Sequence, residues 1–136
     1  MSGKITRRGF LKSAAAGGVG LLILRDSRIA FGSEANSKLN VAAVGCGGKG
    51  YSDIHSVAKT ENVVALCDVR QEPLDKCGKE FPEAKIYYDY RRMLDEMSNR
   101  IDAITVSTPD HTHAIPSIMA MQMGMHVYCQ KPLTHS

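Results

Sequence analysis

The sequence predicts an α/β fold built on a doubly wound parallel sheet, and three features carry this prediction. Short apolar strands alternate with helical segments from residue 39 onward, a glycine-rich turn follows the first strand directly, and the second strand ends in a carboxylate. Strands that alternate with helices over short loops pair in parallel. Right-handed crossovers then give the strand order 3-2-1-4-5.

The first predicted strand, residues 39–44, runs directly into Gly45, Gly47 and Gly50, which have G-x-G-x-x-G spacing. A helix is predicted over residues 48–59. This order is typical of the phosphate turn of a dinucleotide-binding Rossmann fold, in which the glycines permit a tight turn, a close approach of the pyrophosphate and close packing of helix on strand. An ordinary glycine-rich turn is the alternative, because the spacing alone has low specificity. The candidate cofactor contacts in this turn are Gly45, Cys46, Gly47, Gly48, Lys49 and Gly50.

The second predicted strand, residues 63–68, ends in Asp68. An acid at this distance from the glycine turn binds the hydroxyls of the adenosine ribose, and it favours NAD because it repels a 2′-phosphate. Arg70 keeps NADP open as a second cofactor, since its guanidinium is able to pair with a 2′-phosphate. The alternative for Arg70 is a solvated residue just before the next helix. NAD is the cofactor we expect.

The remaining elements follow in chain order. They are a helix over 72–80 with Pro73 in its first turn, a strand over 85–88, a helix capped by Asp89, a strand over 102–107, a helix that begins between 112 and 115 and ends at Gly124, and a strand over 125–129.

Two polar clusters follow the fourth and fifth strands, where a doubly wound sheet binds its ligand. The first, residues 107–113, is interpreted as a loop beside the nicotinamide ribose. A metal pair of His111 and His113 is disfavoured, because side chains two residues apart near a helix start do not converge easily. In the second cluster, residues 129–133, Lys131 is a candidate to hydrogen-bond a substrate hydroxyl and, if burial lowered its pKa, to share in proton transfer. A solvated loop lysine is an equal alternative from position alone.

These motifs resemble the glucose–fructose oxidoreductase / inositol dehydrogenase / MocA-like (Gfo/Idh/MocA) family. The glycine turn, the segment Thr108-Pro-Asp-His-Thr-His113 and the segment Gln130-Lys-Pro132 occur in the family's order. The family usually has Thr-Pro-Asn-x-x-His and Glu-Lys-Pro, so Asp110 replaces an asparagine and Gln130 a glutamate. The resemblance implies that Lys131 is the catalytic residue. No residue is assigned to a metal, in line with the spacing of the two histidines. The cofactor contacts it implies beyond the glycine turn are Asp68, Arg70, Ser107, Thr108, Pro109, His113, Gln130 and Lys131.

The resemblance also implies a domain organisation and an activity. Residues 36–136 are expected to be a dinucleotide-binding domain, truncated before its last strand and before a C-terminal substrate domain, and inactive alone. The full-length protein is expected to be a homo-oligomeric NAD(P)-dependent oxidoreductase that transfers a hydride between nicotinamide and a hydroxyl-bearing carbon of a sugar or polyol. Two alternatives stay open: an NAD-dependent glycosidase that works by oxidation and elimination, and a nucleotide-binding fragment without catalysis.

The first 35 residues predict an export signal. Arg7 and Arg8 lie in a twin-arginine pattern, and the apolar run over residues 13–24 that follows is too short to span a membrane. We expect the twin-arginine export machinery to carry the protein to the periplasm or another extracytoplasmic compartment, with the signal either cleaved or kept as an anchor.

The composition is that of an ordinary globular protein, with 43% hydrophobic and 23% charged residues. The formal net charge of +3 is modest, and no basic stripe is interleaved with aromatics, so nucleic acid is not an expected partner. The four cysteines form no C-x-x-C pair and are interpreted as small buried thiols.

Overall fold

The core of the computed structural model, which describes residues 38–134, is a five-stranded parallel sheet. The strands are β1 (Asn40–Val44), β2 (Asn62–Cys67), β3 (Lys85–Tyr87), β4 (Ala103–Val106) and β5 (His126–Cys129). Their order is β3-β2-β1-β4-β5, and all neighbours pair in parallel. The predicted fold class and strand order are confirmed. The predicted export signal lies outside the described residues.

Four α-helices connect the strands, and their bounds agree closely with the predicted ones. They are α1 (Lys49–Val57), α2 (Gln71–Glu80), α3 (Tyr90–Met97) and α4 (Ala114–Gln122), with short 3₁₀ helices at Ser98–Arg100 and Asp110–Thr112. The Asp89 carboxylate accepts a 2.9 Å hydrogen bond from the backbone N–H of Arg91, which confirms the predicted cap of α3. Gly124 has φ +83° just beyond α4, as a left-handed helix end requires. Within residues 38–134, no helix is long and apolar enough to cross a membrane.

The centre of the sheet is buried on both faces, which explains why the sequence of β1 is almost entirely apolar. Ala42 and Val44 belong to one core cluster, which includes Met93 and Leu94 of α3, whereas Ala43 belongs to the cluster on the other face. Successive side chains of a strand point to opposite faces, so a central strand with helices on both sides needs apolar residues at every position.

The parallel arrangement places the carboxyl ends of all five strands at one edge of the sheet. The segments that leave this edge are the glycine turn after β1, residues 68–70 after β2, residues 88–89 after β3, residues 107–113 after β4 and residues 130–132 after β5. The predicted site residues, although they span most of the domain sequence, are therefore neighbours in space.

Candidate functional site

A cleft of about 840 Å³ opens along this edge, between the glycine turn, the segment after β2 and the loop after β4. Doubly wound sheets bind ligands at this kind of position, where the crossovers on the two sides of β1 run in opposite directions. Eight of the predicted site residues line the cleft: Gly45, Gly47, Gly48, Asp68, Arg70, Ser107, Thr108 and Pro109.

Two glycines of the turn are required by close backbone packing. Gly45 has φ +94°, and a Cβ atom there would lie 2.5 Å from the carbonyl oxygen of Ser107. A Cβ on Gly50 would collide with the carbonyl oxygen of Gly45, where α1 crosses the turn. The tight turn predicted at Gly45 and the close helix–strand packing predicted at Gly50 are both confirmed.

Gly47 keeps the backbone of the turn open toward the cleft. A Cβ atom at this position would contact the guanidinium of Arg70, which lies over the turn. A glycine backbone at the N-terminus of α1, with a guanidinium beside it, suits an anionic group, because free backbone N–H groups and a fixed cation both favour negative charge. The residues present therefore fit the pyrophosphate of a dinucleotide.

Asp68 is fixed at the wall of the cleft by backbone hydrogen bonds. Its Oδ2 accepts from the N–H of Cys46 at 2.8 Å, and its Oδ1 accepts from the N–H of Arg70 at 2.9 Å. Only 8% of the side chain is exposed. Each carboxylate oxygen has a second lone pair, so the group is still able to accept hydroxyl donors from a ligand.

Arg70 lies at the rim of the cleft. Its side chain is 65% exposed and its Nε is 3.8 Å from Oδ1 of Asp68. The exposure matches the solvated alternative, but the guanidinium also lies within reach of a ligand above Gly47.

The Cys46 thiol faces away from the cleft and donates to the carbonyl oxygen of Cys67. Burial raises the pKa of Cys46, and the neighbouring Cys77 and Asp68 add to this effect. Burial likewise raises the pKa of Cys67 to about 12. These thiols stay protonated and serve as small apolar side chains, so a contact from Cys46 to a cofactor is limited to its backbone.

A residue that sequence reasoning missed, Asp53 of α1, connects three segments of the site. Its Oδ2 accepts from Oγ of Ser107 and from Nε2 of Gln130, both at 2.8 Å, and its Oδ1 lies 2.6 Å from Nζ of Lys49. Burial alone raises the pKa of Asp53, but hydrogen bonds from Lys49, Ser107 and Gln130 outweigh it, so the pKa is lowered and the group is ionised. The amine of Lys49 therefore pairs with Asp53, and Lys49 does not line the cleft.

A signal for Asp53 was present in the sequence. Gly50, Asp53 and Ile54 are the buried residues of α1, and they recur at the spacing of one helix face. A carboxylate on the apolar face of a helix needs partners from other segments, although the pattern does not say which.

His113 lies beneath the cleft and joins the loop after β4 to the loop after β5. The residue is only 1% exposed, and its ring nitrogens lie 2.7 Å from the carbonyl oxygens of Thr108 and Pro132. The loop after β4 and the loop after β5 are thereby tied together. The imidazole does not line the cleft. It contacts Thr108, which does, and so holds the loop after β4 in position.

Lys131 is exposed, and the burial considered for it is not found. Within residues 38–134, β5 pairs with β4 and lies at the edge of the sheet. Gln130 also lies outside the lining of the cleft, because its amide points to Asp53.

The structure adds cleft residues that the sequence analysis did not identify as cofactor contacts: Tyr88, Tyr90, His111 and Thr112. Tyr88 and Tyr90 follow β3, and the general rule that ligands bind at carboxyl strand ends could have found them. In the part of the chain from 38 to 134, no three potential metal-ligating side chains come together.

Comparison with known proteins agrees with this geometry. Residues 39–136 match the Gfo/Idh/MocA family, described as "Oxidoreductase family, NAD-binding Rossmann fold". A "Glycosyl hydrolase family 109 protein" from Solibacter usitatus (strain Ellin6076) is 29% identical over 145 residues, which cover 95% of this chain and 33% of the relative. The chain thus spans about a third of that relative's length.

Two solved structures give the same result. A myo-inositol 2-dehydrogenase from Lactobacillus plantarum superposes with a TM-score of 0.67 at 28% identity, covering 74% of this chain and 30% of that one. The WlbA dehydrogenase from Bordetella pertussis, solved in complex with NADH and UDP-GlcNAcA, gives a TM-score of 0.65 at 28% identity, covering 72% and 30%. This chain therefore belongs to the Gfo/Idh/MocA oxidoreductase family, and residues 39–136 are its NAD-binding Rossmann domain.

Proposed function

We propose that the chain holds NAD(H) in the described cleft and serves as the nucleotide-binding part of an enzyme that transfers a hydride between nicotinamide and a hydroxyl-bearing carbon of a sugar or polyol. The observation that carries the proposal is the position of Asp68, whose carboxylate is fixed beside an open glycine turn by the N–H groups of Cys46 and Arg70. The dehydrogenases named above, a myo-inositol enzyme and one crystallised with NADH, support the substrate class.

In this proposal the lining of the cleft supports one orientation of the cofactor. Asp68 accepts the hydroxyls of the adenosine ribose, the turn at Gly47 receives the pyrophosphate, and the loop from Ser107 to Pro109 borders the nicotinamide ribose. The charge of Asp68 favours NAD, since a 2′-phosphate would be placed against a carboxylate.

Lys131 acts at the nicotinamide end in this proposal. The bound cofactor supplies a carbon that accepts or returns a hydride. The ammonium group of Lys131 is a three-hydrogen donor on an exposed loop, and it orients the reacting hydroxyl by hydrogen bonding. The carbonyl contact between Pro132 and His113 limits where that loop lies.

A glycosidase that uses NAD without net consumption is the second candidate. It is favoured by the similarity to the glycosyl hydrolase family 109 protein of Solibacter usitatus. Oxidation, elimination and re-reduction begin and end with the same hydride transfer, so the same nucleotide site serves both reactions. The third candidate is a chain that binds the nucleotide without catalysing a reaction.

The binding half of the proposal is tested by titrating the purified chain with NAD⁺ and NADP⁺. We expect NAD⁺ to bind more tightly, and Gly47→Val to abolish binding because its side chain meets Arg70 and fills the turn. Lys131→Ala should leave NAD⁺ binding largely intact.

The preference between the two cofactors is tested at Asp68. Asp68→Asn keeps an oxygen for the Cys46 N–H but removes the charge, so it should shift the preference toward NADP⁺ by about tenfold. A chain that binds neither nucleotide, or a Gly47→Val variant that binds as well as the unchanged protein, would contradict the assignment.

The catalytic half is tested on the full-length protein with two kinds of substrate. An oxidoreductase should form NADH in proportion to polyol oxidised, whereas a glycosidase should release the aglycone of a nitrophenyl glycoside with no net NADH and should incorporate solvent deuterium into the sugar. Lys131→Ala should stop either reaction. If neither substrate class reacts while NAD⁺ is bound, the non-catalytic alternative holds.

Export by the twin-arginine route is also proposed, on the basis of Arg7 and Arg8. Replacing both arginines with lysine should keep the protein in the cytoplasmic fraction of its host. Unchanged export of that variant would exclude this route.

A further inference from the structure

We propose that Asp53 is a positioning residue that sets the location of the lysine loop, residues 130–132, by accepting a hydrogen bond from the side-chain amide of Gln130. The proposal rests on the NAD site proposed above. Asp53 is buried and does not line the cleft, so the proposal gives a function to a carboxylate outside the cofactor contacts.

Asp53 has the geometry of a fixed anchor. The residue is 6% exposed, and its two oxygens receive the amine of Lys49, the hydroxyl of Ser107 and the amide of Gln130. These partners come from the first turn of α1, the segment after β4 and the segment after β5. A buried ionised carboxylate is costly without hydrogen-bond donors, so the negative charge of Asp53 holds these three donors around it.

The contact with Gln130 depends on an amide at that position. Asp53 is ionised and offers only acceptors, while the glutamine amide offers donors, so the two groups are complementary. A glutamate at 130 would place a second carboxylate against the first, and like charges at this distance repel.

Lys131 lies between two anchored residues. On one side Gln130 is held by Asp53 at 2.8 Å, and on the other the carbonyl oxygen of Pro132 lies 2.7 Å from Nδ1 of His113. Because Lys131 itself is exposed, these two contacts restrict the path of the loop from which it projects.

Ser107, which borders the nicotinamide ribose in the proposed orientation, donates to the same Oδ2 of Asp53 as Gln130 does. A carboxylate at position 130 should therefore disturb the nicotinamide end of the cofactor through Ser107, and not the adenosine end, although removal of the Lys131 side chain alone should leave NAD⁺ binding largely intact.

The test compares the binding of NAD⁺ with that of ADP-ribose, which lacks nicotinamide, to the purified chain. In Gln130→Glu at about pH 8, we expect affinity for NAD⁺ to fall about tenfold relative to ADP-ribose, the scale of one hydrogen bond to a charged group. Lowering the pH to about 5 should restore the ratio, since one carboxyl of the pair then becomes protonated and donates to the other. A purely structural defect would weaken both ligands equally at both pH values.

Exchanging the two groups gives the decisive variant. Asp53→Asn combined with Gln130→Glu reverses the donor and the acceptor, so the double variant should recover the ratio that Gln130→Glu loses. Glu96→Gln is the matched control, because Glu96 also accepts from three side chains but lies by β3, outside the cleft. It should leave the ratio unchanged.

An unchanged ratio in Gln130→Glu, an equal loss of both ligands, or a double variant no better than the single one would overturn the proposal. If Gln130→Glu does not fold, the double variant decides alone: it must fold and show the ratio of the unchanged protein. Absence of ADP-ribose binding to the unchanged protein would instead contradict the NAD site itself, so the two failures are distinguishable.

Discussion

Gly50 is a residue at which a single added methyl group should destabilise the fold. Its Cα approaches the carbonyl oxygen of Gly45 so closely that a Cβ atom would overlap this backbone oxygen, which cannot rotate away as a side chain could. We expect Gly50→Ala to lower the free energy of unfolding by about 1–3 kcal/mol, the usual cost of overpacking. Denaturant-induced unfolding followed by circular dichroism measures this directly.

Gly78 of α2 provides the matched control for that substitution. A Cβ atom there would lie 3.3 Å from the terminal methyl group of Ile86, a flexible and partly exposed side chain. Alanine is also the better helix former by up to about 1 kcal/mol. Gly78→Ala should therefore be neutral or stabilising, and a loss equal to that of Gly50→Ala would show that the backbone overlap is not the cause.

The limits of sequence-based prediction are also visible at the residue scale. The tight turn at Gly45, the close packing at Gly50 and the position of Asp68 beside the turn could be predicted because all three follow the fixed spacing of one local motif. Asp53 could not be assigned a partner, since Ser107 and Gln130 are 54 and 77 residues further along the chain. The exposure of Lys131 could not be predicted either, because the strand order places β5 at the sheet edge but does not say where a side chain of the following loop points.

Among the helices, α3 is stabilised by a side-chain cap at its N-terminus. It is short, Tyr90–Met97, and its apolar face buries Met93, Leu94 and Met97 against the sheet. The Asp89 carboxylate satisfies the N–H of Arg91, one of the unpaired donors at the helix start. We expect Asp89→Ala to lower the free energy of unfolding by about 1 kcal/mol.

Asp95, exposed in the middle of α3, is the control for this prediction. Asp95→Ala removes the same charge and side chain without removing a cap, and alanine has the higher helix propensity. Thermal unfolding should show a lower midpoint for Asp89→Ala only. Equal midpoints for the two variants would mean that the cap contributes nothing measurable.

The elements themselves were the most predictable level of the structure. Alternation of apolar strands with helices, short loops and the handedness of the crossovers suffice to give the order β3-β2-β1-β4-β5. Tyr88 and Tyr90, which follow the carboxyl end of β3, were not identified as cleft residues. In the sequence they are equally consistent with an ordinary junction between a strand and a helix.

For the whole molecule, the pH dependence of stability follows from carboxylates held by several donors. Glu96 accepts from Lys85, Arg92 and Tyr87, and these hydrogen bonds lower its pKa from 4.5 to about 2. The pKa of Asp53 is also lowered. A folded state with depressed carboxyl pKa values binds fewer protons than the unfolded chain, so acid favours unfolding.

We therefore expect full stability above about pH 5 and a progressive loss as the pH falls toward the folded-state pKa values. Glu96→Gln removes the titrating group while keeping an acceptor oxygen. It should be less stable than the unchanged protein near neutral pH, because the charge that attracts Lys85 and Arg92 is gone. The two proteins should then converge as the pH is lowered, since protonated glutamic acid and glutamine present similar neutral groups. Urea midpoints measured between about pH 6 and pH 3 test this, and a constant difference across that range would mean that Glu96 is not the titrating group.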